Sequence, residues 1–254
     1  MKKILSICVF FLLLGVTKVS AQQDSDNLWV EANKFYEDGN YANAIESYNK
    51  IVETGYISEE LYYNLANAYF KSDSLSKAIA NYRRALNLDP TDEDIIYNLE
   101  VARAKTVNKI DEVPTFFLHK WLNHFSAVFP SNAWASISLV SFAIMLIFLA
   151  AYLLSNTAVK RKAMFTVSVF GLVFFIVSLA NAVTSKNNIV DSKEAVVTSS
   201  AISVKSSPNN NGKDLFILNE GVEVETLDEM NGYTEIKLVN GNKGWIKSSA
   251  IELI

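Results

Sequence analysis

Two stretches without a single charged residue, 133–159 and 163–185, constrain this chain more than any other feature. Only Lys160, Arg161 and Lys162 break the charge-free region between them. Ala133 to Leu154 gives 22 uncharged residues and Met164 to Val183 gives 20. As helices rising ~1.5 Å per residue they reach ~33 Å and ~30 Å, the thickness of a bilayer core. That length argues against helices buried in a globular core. The expectation is two transmembrane helices, 133–154 and 164–183, joined by a loop at 155–163. Three adjacent cations in a short loop mark the cytoplasmic side. Neither span holds an Asp, Glu, Lys, Arg or His. A proton relay or ion path needs such groups at depth, so transport is not expected. Gly171 and the serines at 138, 141, 168 and 178 are small enough to let the helices pack closely.

The flanks are acidic. Residues 22–112 hold 17 acidic against 9 basic residues, and 188–254 hold 10 against 6. Phosphate contact needs clustered Lys and Arg, so nucleic acid is excluded as a partner. At the start, Met1, Lys2 and Lys3 precede an apolar run from Ile4 to Val16, then Val19-Ser20-Ala21. This has the form of a signal peptide over 1–21, cleaved after Ala21. The one cysteine, Cys8, lies inside it. A cleaved chain has no thiol for catalysis, disulfides or metal binding. Export of the N-terminus and the cationic loop agree on topology: both flanking modules lie outside the cytoplasm.

Residues 25–112 repeat internally. At an offset of 34, Ala32 meets Ala66, Asn33 meets Asn67 and Phe35 meets Tyr69. In the same frame Ala44 meets Ala78, Ile45 meets Ile79 and Tyr48 meets Tyr82. Small alanines let paired helices approach, and the aromatics fill the space around them. Gly39 suits a tight turn between helices, and Asp89-Pro90 ends the second unit. The period resembles the tetratricopeptide repeat, with units at 25–58 and 59–92. A third unit starts at Ile96-Tyr97-Asn98-Leu99, but Glu100 and Arg103 break the pattern. Residues 93–109 are therefore expected to form one helix capping the array with a polar face of Glu100, Arg103 and Lys105. The resemblance implies a concave groove lined by the first helix of each repeat. Here that face carries Trp29, Asn33 and Tyr36, then Tyr63, Asn67 and Phe70, then Tyr97. The aromatics offer contact area and the amides can hold a peptide backbone. The family's carboxylate clamp also uses lysines, and Trp29, Tyr97 and Val101 occupy those places. Two readings remain open: a groove for an extended or helical apolar segment, or aromatics, Trp29 and Tyr97 among them, that only pack against neighbouring helices or the membrane-proximal segment.

Before the first span, Phe117, Trp121, Phe125, Val128 and Phe129 recur at three- and four-residue steps. This predicts an interfacial amphipathic helix over 115–132. His119 and His124 are five apart and do not share a helix face as a metal pair would.

After Lys186 the pattern changes to short alternating runs: 195–197, 202–205, 221–224, 233–238 and 244–246. Asn231-Gly232 and Asn240-Gly241 supply turns. The expectation is an all-β, SH3-like barrel over 193–254. Val204-Lys205-Ser206-Ser207-Pro208, Leu218-Asn219-Glu220-Gly221 and Gly241-Asn242-Lys243-Gly244-Trp245-Ile246 resemble motifs of the bacterial SH3 family. That resemblance implies a ligand groove at Tyr233 and Trp245, on wall peptide or protein. The alternative is that Trp245 packs the barrel.

The sequence offers no phosphate loop, nucleophile elbow or triad, so catalytic residues, cofactors and metals are not expected. The fold class is multidomain: tetratricopeptide solenoid, transmembrane hairpin, SH3-like barrel. That order resembles the BatE family of aerotolerance operons. The resemblance implies a membrane scaffold working beside von Willebrand factor A-domain membrane proteins in tolerance of oxidative stress or envelope integrity. It implies a bacterial inner-membrane location with both termini periplasmic. A peptidoglycan-binding sensor or tether is the alternative.

Overall fold

The computed structural model describes residues 26–108, 110, 125, 128–190 and 192–254. The expected signal peptide, and most of the expected interfacial helix at 115–132, lie outside these residues.

Five helices form the first module: α1 (26–37), α2 (Tyr41–Glu53), α3 (Glu59–Lys71), α4 (Leu75–Leu88) and α5 (Glu93–Ala104). The repeat sets their starts. Ser58 and Asp92, 34 positions apart in sequence, both act as N-caps. Ser58 Oγ accepts from the Leu61 amide at 3.1 Å, and the Asp92 carboxylate accepts from Asp94 and Ile95 at 2.9 and 3.0 Å. Such caps satisfy amides that a first turn leaves unpaired. The turns repeat too. Gly39 and Asp73 both have a left-handed backbone, at φ 74° and 58°. Extended backbone at Asp89, before Pro90, ends α4. Ala32, Ala44, Ala66 and Ala78 are completely buried, and Tyr48 and Tyr82 fill the volume beside them.

Two long apolar helices follow: α6 (Ser131–Leu154) and α7 (Ala158–Val190). They pair along their lengths as a hairpin. The expected loop at 155–163 is shorter than anticipated, because helix resumes at Ala158 and takes Lys160, Arg161 and Lys162 into its first turns. Beyond Trp134 at the start of α6, the buried residues are small: Ser138 and Ser141 on α6, and Ser168, Ser178 and Ala182 on α7. Their three- and four-residue spacing keeps one face of each helix on the other. Ser168 Oγ donates to the Met145 carbonyl at 3.2 Å, and Ser131 Oγ to the Ala182 carbonyl at 3.1 Å. At Gly171 a side chain would meet the Met145 backbone at 3.3 Å, which is why glycine suits this crossing. The outward faces are almost wholly apolar and exposed, and both helices are long enough to cross a membrane.

The last module is an antiparallel sheet of seven strands. These are β1 (Glu194–Val197), β2 (Ile202–Lys205), β3 (Asp214–Leu218), β4 (Glu223–Met230), β5 (Tyr233–Lys237), β6 (Lys243–Lys247) and β7 (Ile251–Leu253). Their order is β3-β2-β6-β5-β4-β1-β7. Asn231 and Gly232, both at positive φ, make the two-residue β4–β5 turn, with Met230 opposite Tyr233. Val197, Val204, Leu218, Val224, Ile236 and Ile246 form the core. The sequence pattern missed β3 and β7, and these are the two edges. No ladder joins them among the described residues, so the sheet is open where a closed barrel was expected.

The sheet does not hang free. Val196 of β1 is completely buried in one cluster with Ile79, Tyr82, Leu99 and Ala102 of the helical module. Arg103 reaches both carboxylate oxygens of Glu223, at 2.7 and 2.9 Å. Arg83 pairs with Glu194, and its Nε lies 3.2 Å from Glu223 Oε1. Arg84 pairs with Glu252 at 2.9 Å. Of the expected polar face, Glu100 and Lys105 are exposed, whereas Arg103 faces the sheet. Arg103 is a docking residue, and the array ends against the sheet.

Candidate protein-binding groove

The candidate groove residues lie on α1, α3 and α5, the first helices of successive units. Each amide is locked by the second helix of its own repeat. Tyr48 OH donates to Asn33 Oδ1 at 2.6 Å, and Tyr82 OH donates to Asn67 Oδ1 at 2.5 Å. Both bonds span fifteen positions, so one device occurs twice. An amide held by its oxygen keeps its Nδ2 donors. Thus Asn33 and Asn67 are fixed in orientation before any ligand arrives. Tyr48 and Tyr82 are the residues the site reading missed. Their recurrence in step with the asparagines was the available signal.

The aromatics divide into buried and displayed sets. Trp29 is half-buried and stands edge-on to Tyr48, with centroids 6.1 Å apart. Tyr36 contacts Tyr41 at 5.4 Å, and Tyr63 lies 6.0 Å from Tyr82. Tyr63 OH accepts from Asn98 Nδ2 at 2.9 Å, which ties α3 to α5. Phe70 is partly buried under the Lys105 ammonium, 4.2 Å above its ring. Tyr97 is different: it is 68% exposed, beside an exposed Ile96. The stripe is therefore divided between packed and displayed rings. Trp29, Tyr63 and Phe70 pack, while Tyr97 leaves its ring unspent.

The phenols report a dry, acidic setting. Burial pushes the Tyr48 hydroxyl up to about 12, with Tyr36, Glu60 and Glu37 adding to the rise. Burial raises Tyr82 as well, with Tyr63 and Tyr36 contributing. Tyr36 moves the same way, through burial and then Tyr41 and Tyr63. These hydroxyls stay protonated and act as donors across the ordinary pH range.

On the sheet, register places Tyr233 and Trp245 on one face, diagonal to each other and opposite Ile236 and Ile246. Trp245 is half-buried on that outer face and is not part of the core. Tyr233 is only 8% exposed and donates to Asn210 Oδ1 at 2.7 Å. The loop after β2 thus covers much of the tyrosine. Lys205 is spent on Asp214 at 2.9 Å. Among the described residues, no three His, Cys, Asp or Glu side chains gather as a metal site would require.

Residues 59–92 match the tetratricopeptide repeat family model. The matched segment is α3 and α4 with their flanking turns. A comparison with curated proteins gives no match. Residues 59–92 are thus a repeat of a type that serves protein–protein interaction and is typically non-catalytic.

Proposed function

We propose that this protein is a non-enzymatic, membrane-anchored scaffold whose helical groove holds a segment of a partner protein. The observation that carries the reading is Tyr97. It stands 68% exposed on the last helix of an array whose end is otherwise sealed by the sheet. Behind it, Asn33 and Asn67 are already oriented, so little order is lost on binding. The partner segment is apolar or aromatic, laid along Trp29, Asn33, Tyr36, Tyr63, Asn67, Phe70 and Tyr97.

The anchor is the α6–α7 hairpin. A two-span hairpin returns the chain to the side it left, and the contacts between the two flanking modules require that they share a side. Lys160 to Lys162 at the opposite end support, by the positive-inside rule, a topology with both modules outside the cytoplasm; in the reading proposed here both termini are periplasmic, in a bacterial inner membrane. The order of modules extends this to a complex of BatE type, with von Willebrand factor A-domain membrane proteins as partners in aerotolerance.

The test is affinity purification of the detergent-solubilised chain beside Tyr97→Ala. Asn33 and Asn67 are poor choices for mutation, because removing them also frees buried tyrosine hydroxyls. A defined set of membrane proteins that is lost from Tyr97→Ala, with unchanged melting, is the expected result. Retention of the same set removes the groove from the reading. A second reading, attachment to peptidoglycan, is favoured by the outward Trp245. It predicts wall fragments that are lost from Trp245→Ala instead.

A further inference from the structure

We propose that the turn of the helical hairpin is a binding site for the headgroup of an anionic phospholipid, built from Arg161 and Lys162 over an aromatic floor. A cavity of about 590 Å³ opens there between the end of α6 and the start of α7. Tyr152 and Phe165 form its floor, with ring centroids 5.6 Å apart. Ala158 and Val159 form an aliphatic wall, and Arg161 and Lys162 stand at the rim. The Arg161 guanidinium lies 5.2 Å over the Tyr152 ring, which holds it across the opening.

Charge decides what this cavity can take. No Asp or Glu occurs between Glu112 and Asp191, and among the described residues neither Arg161 nor Lys162 forms an ion pair. The cavity between the sheet and the array is different. Its Arg83, Arg103 and Lys237 face Glu194, Glu223 and Glu225, so it is neutralised from within. At the hairpin turn Arg161, held over the Tyr152 ring, the Lys162 cation and the open amides of a helix start meet apolar side chains. That pairing suits a phosphate carrying a glycerol and acyl stem better than a free anion. Residues 158, 161, 162 and 165 share one helical face. Lys160 lies off that face and does not line the cavity.

This site rests on the membrane reading, and the test keeps the two apart. The full chain is purified in mild detergent with phosphatidylglycerol or phosphatidylcholine, and bound lipid is counted by native mass spectrometry. Wild type and Lys160→Gln are expected to retain phosphatidylglycerol over phosphatidylcholine. At about fivefold per cation, Arg161→Gln/Lys162→Gln loses on the order of 10–30-fold in affinity. Inorganic phosphate does not displace the lipid. Equal loss in Lys160→Gln overturns the site in favour of diffuse charge attraction. Equal retention of the two lipids, or displacement by phosphate, also overturns it. Washing the host membranes in alkaline carbonate tests the anchor itself. Release of the chain overturns the membrane reading, whereas a retained chain without lipid preference overturns only this site.

Discussion

Tyr48 joins stability and site geometry in one side chain. It is buried to 1% exposure and orients Asn33 through its hydroxyl. Its folded-state value of about 12 lies above the ordinary 10 of an unfolded chain. The stabilisation is therefore complete below pH 10 and is lost as pH rises toward 12. That difference is worth at most about 2–3 kcal/mol, and Tyr82 adds in the same direction. The helical signal should melt at falling temperature across pH 10–12, with a shallower fall in Tyr48→Phe. That variant should cost about 1 kcal/mol at pH 7, because Asn33 Oδ1 loses its donor. Asp73 makes a second case. It holds the left-handed turn that Gly39 holds one repeat earlier. Asp73→Gly should raise stability by about 0.5–1 kcal/mol in thermal unfolding, since glycine adopts that backbone without a side-chain penalty.

At the scale of elements, what could be read in advance was what repeats. The alanines and tyrosines at a 34-residue offset specified α1 to α4, because each position answers a local packing need. Gly171 and the four serines identified the hairpin seam for the same reason: only small side chains suit that crossing. The edge strands were not legible. β3 runs Asp214-Leu215-Phe216-Ile217-Leu218, with Leu215 and Ile217 exposed, so it lacks the alternation that marks a half-buried strand. β7 is three residues long, too short for any period. The candidate site was legible as a stripe of aromatics and amides. Its division into packed Trp29 and exposed Tyr97 was not, since that depends on what lies beyond α5. The hairpin itself makes a sharp prediction. A Cβ at Gly171 would lie 3.3 Å from the Met145 Cβ, a few tenths of an ångström inside the ~3.5–4.5 Å a disulfide bridges, so a small outward shift of one helix would admit the bond. In a Cys8→Ser background, Met145→Cys/Gly171→Cys should form an intramolecular disulfide on oxidation, seen as faster migration on a non-reducing gel. Neither single variant should shift. Failure of the pair to cross-link would mean that α6 and α7 do not pack as this seam requires.

Across the whole molecule, the sheet closes the end of the helical array, and no local pattern could have shown it. Arg103 and Glu223 are 120 positions apart and each looks like an ordinary solvated charge in sequence. In the structure Glu223 draws in both Arg103 and Arg83, and the Glu223 and Glu100 carboxylates hold Arg103 above its usual range despite burial working against its charge. The Arg103 side chain remains 35% exposed, so the pair is screened by solvent. A double-mutant cycle of Arg103→Ala and Glu223→Ala should give a coupling of about 1 kcal/mol, shrinking in ~0.5 M salt. If charge alone held the modules, salt would also part them. Val196 argues otherwise, because it is completely buried against the array together with Ile79 and Ala102. Hydrogen exchange should therefore find the α5 amides still protected at high salt in the wild type, and exposed in Val196→Asp at any salt. Because α5 carries Tyr97, that same variant should also weaken partner capture at the groove, although it touches no groove residue. Unchanged protection of α5 in Val196→Asp would mean that the array holds its last helix without the sheet.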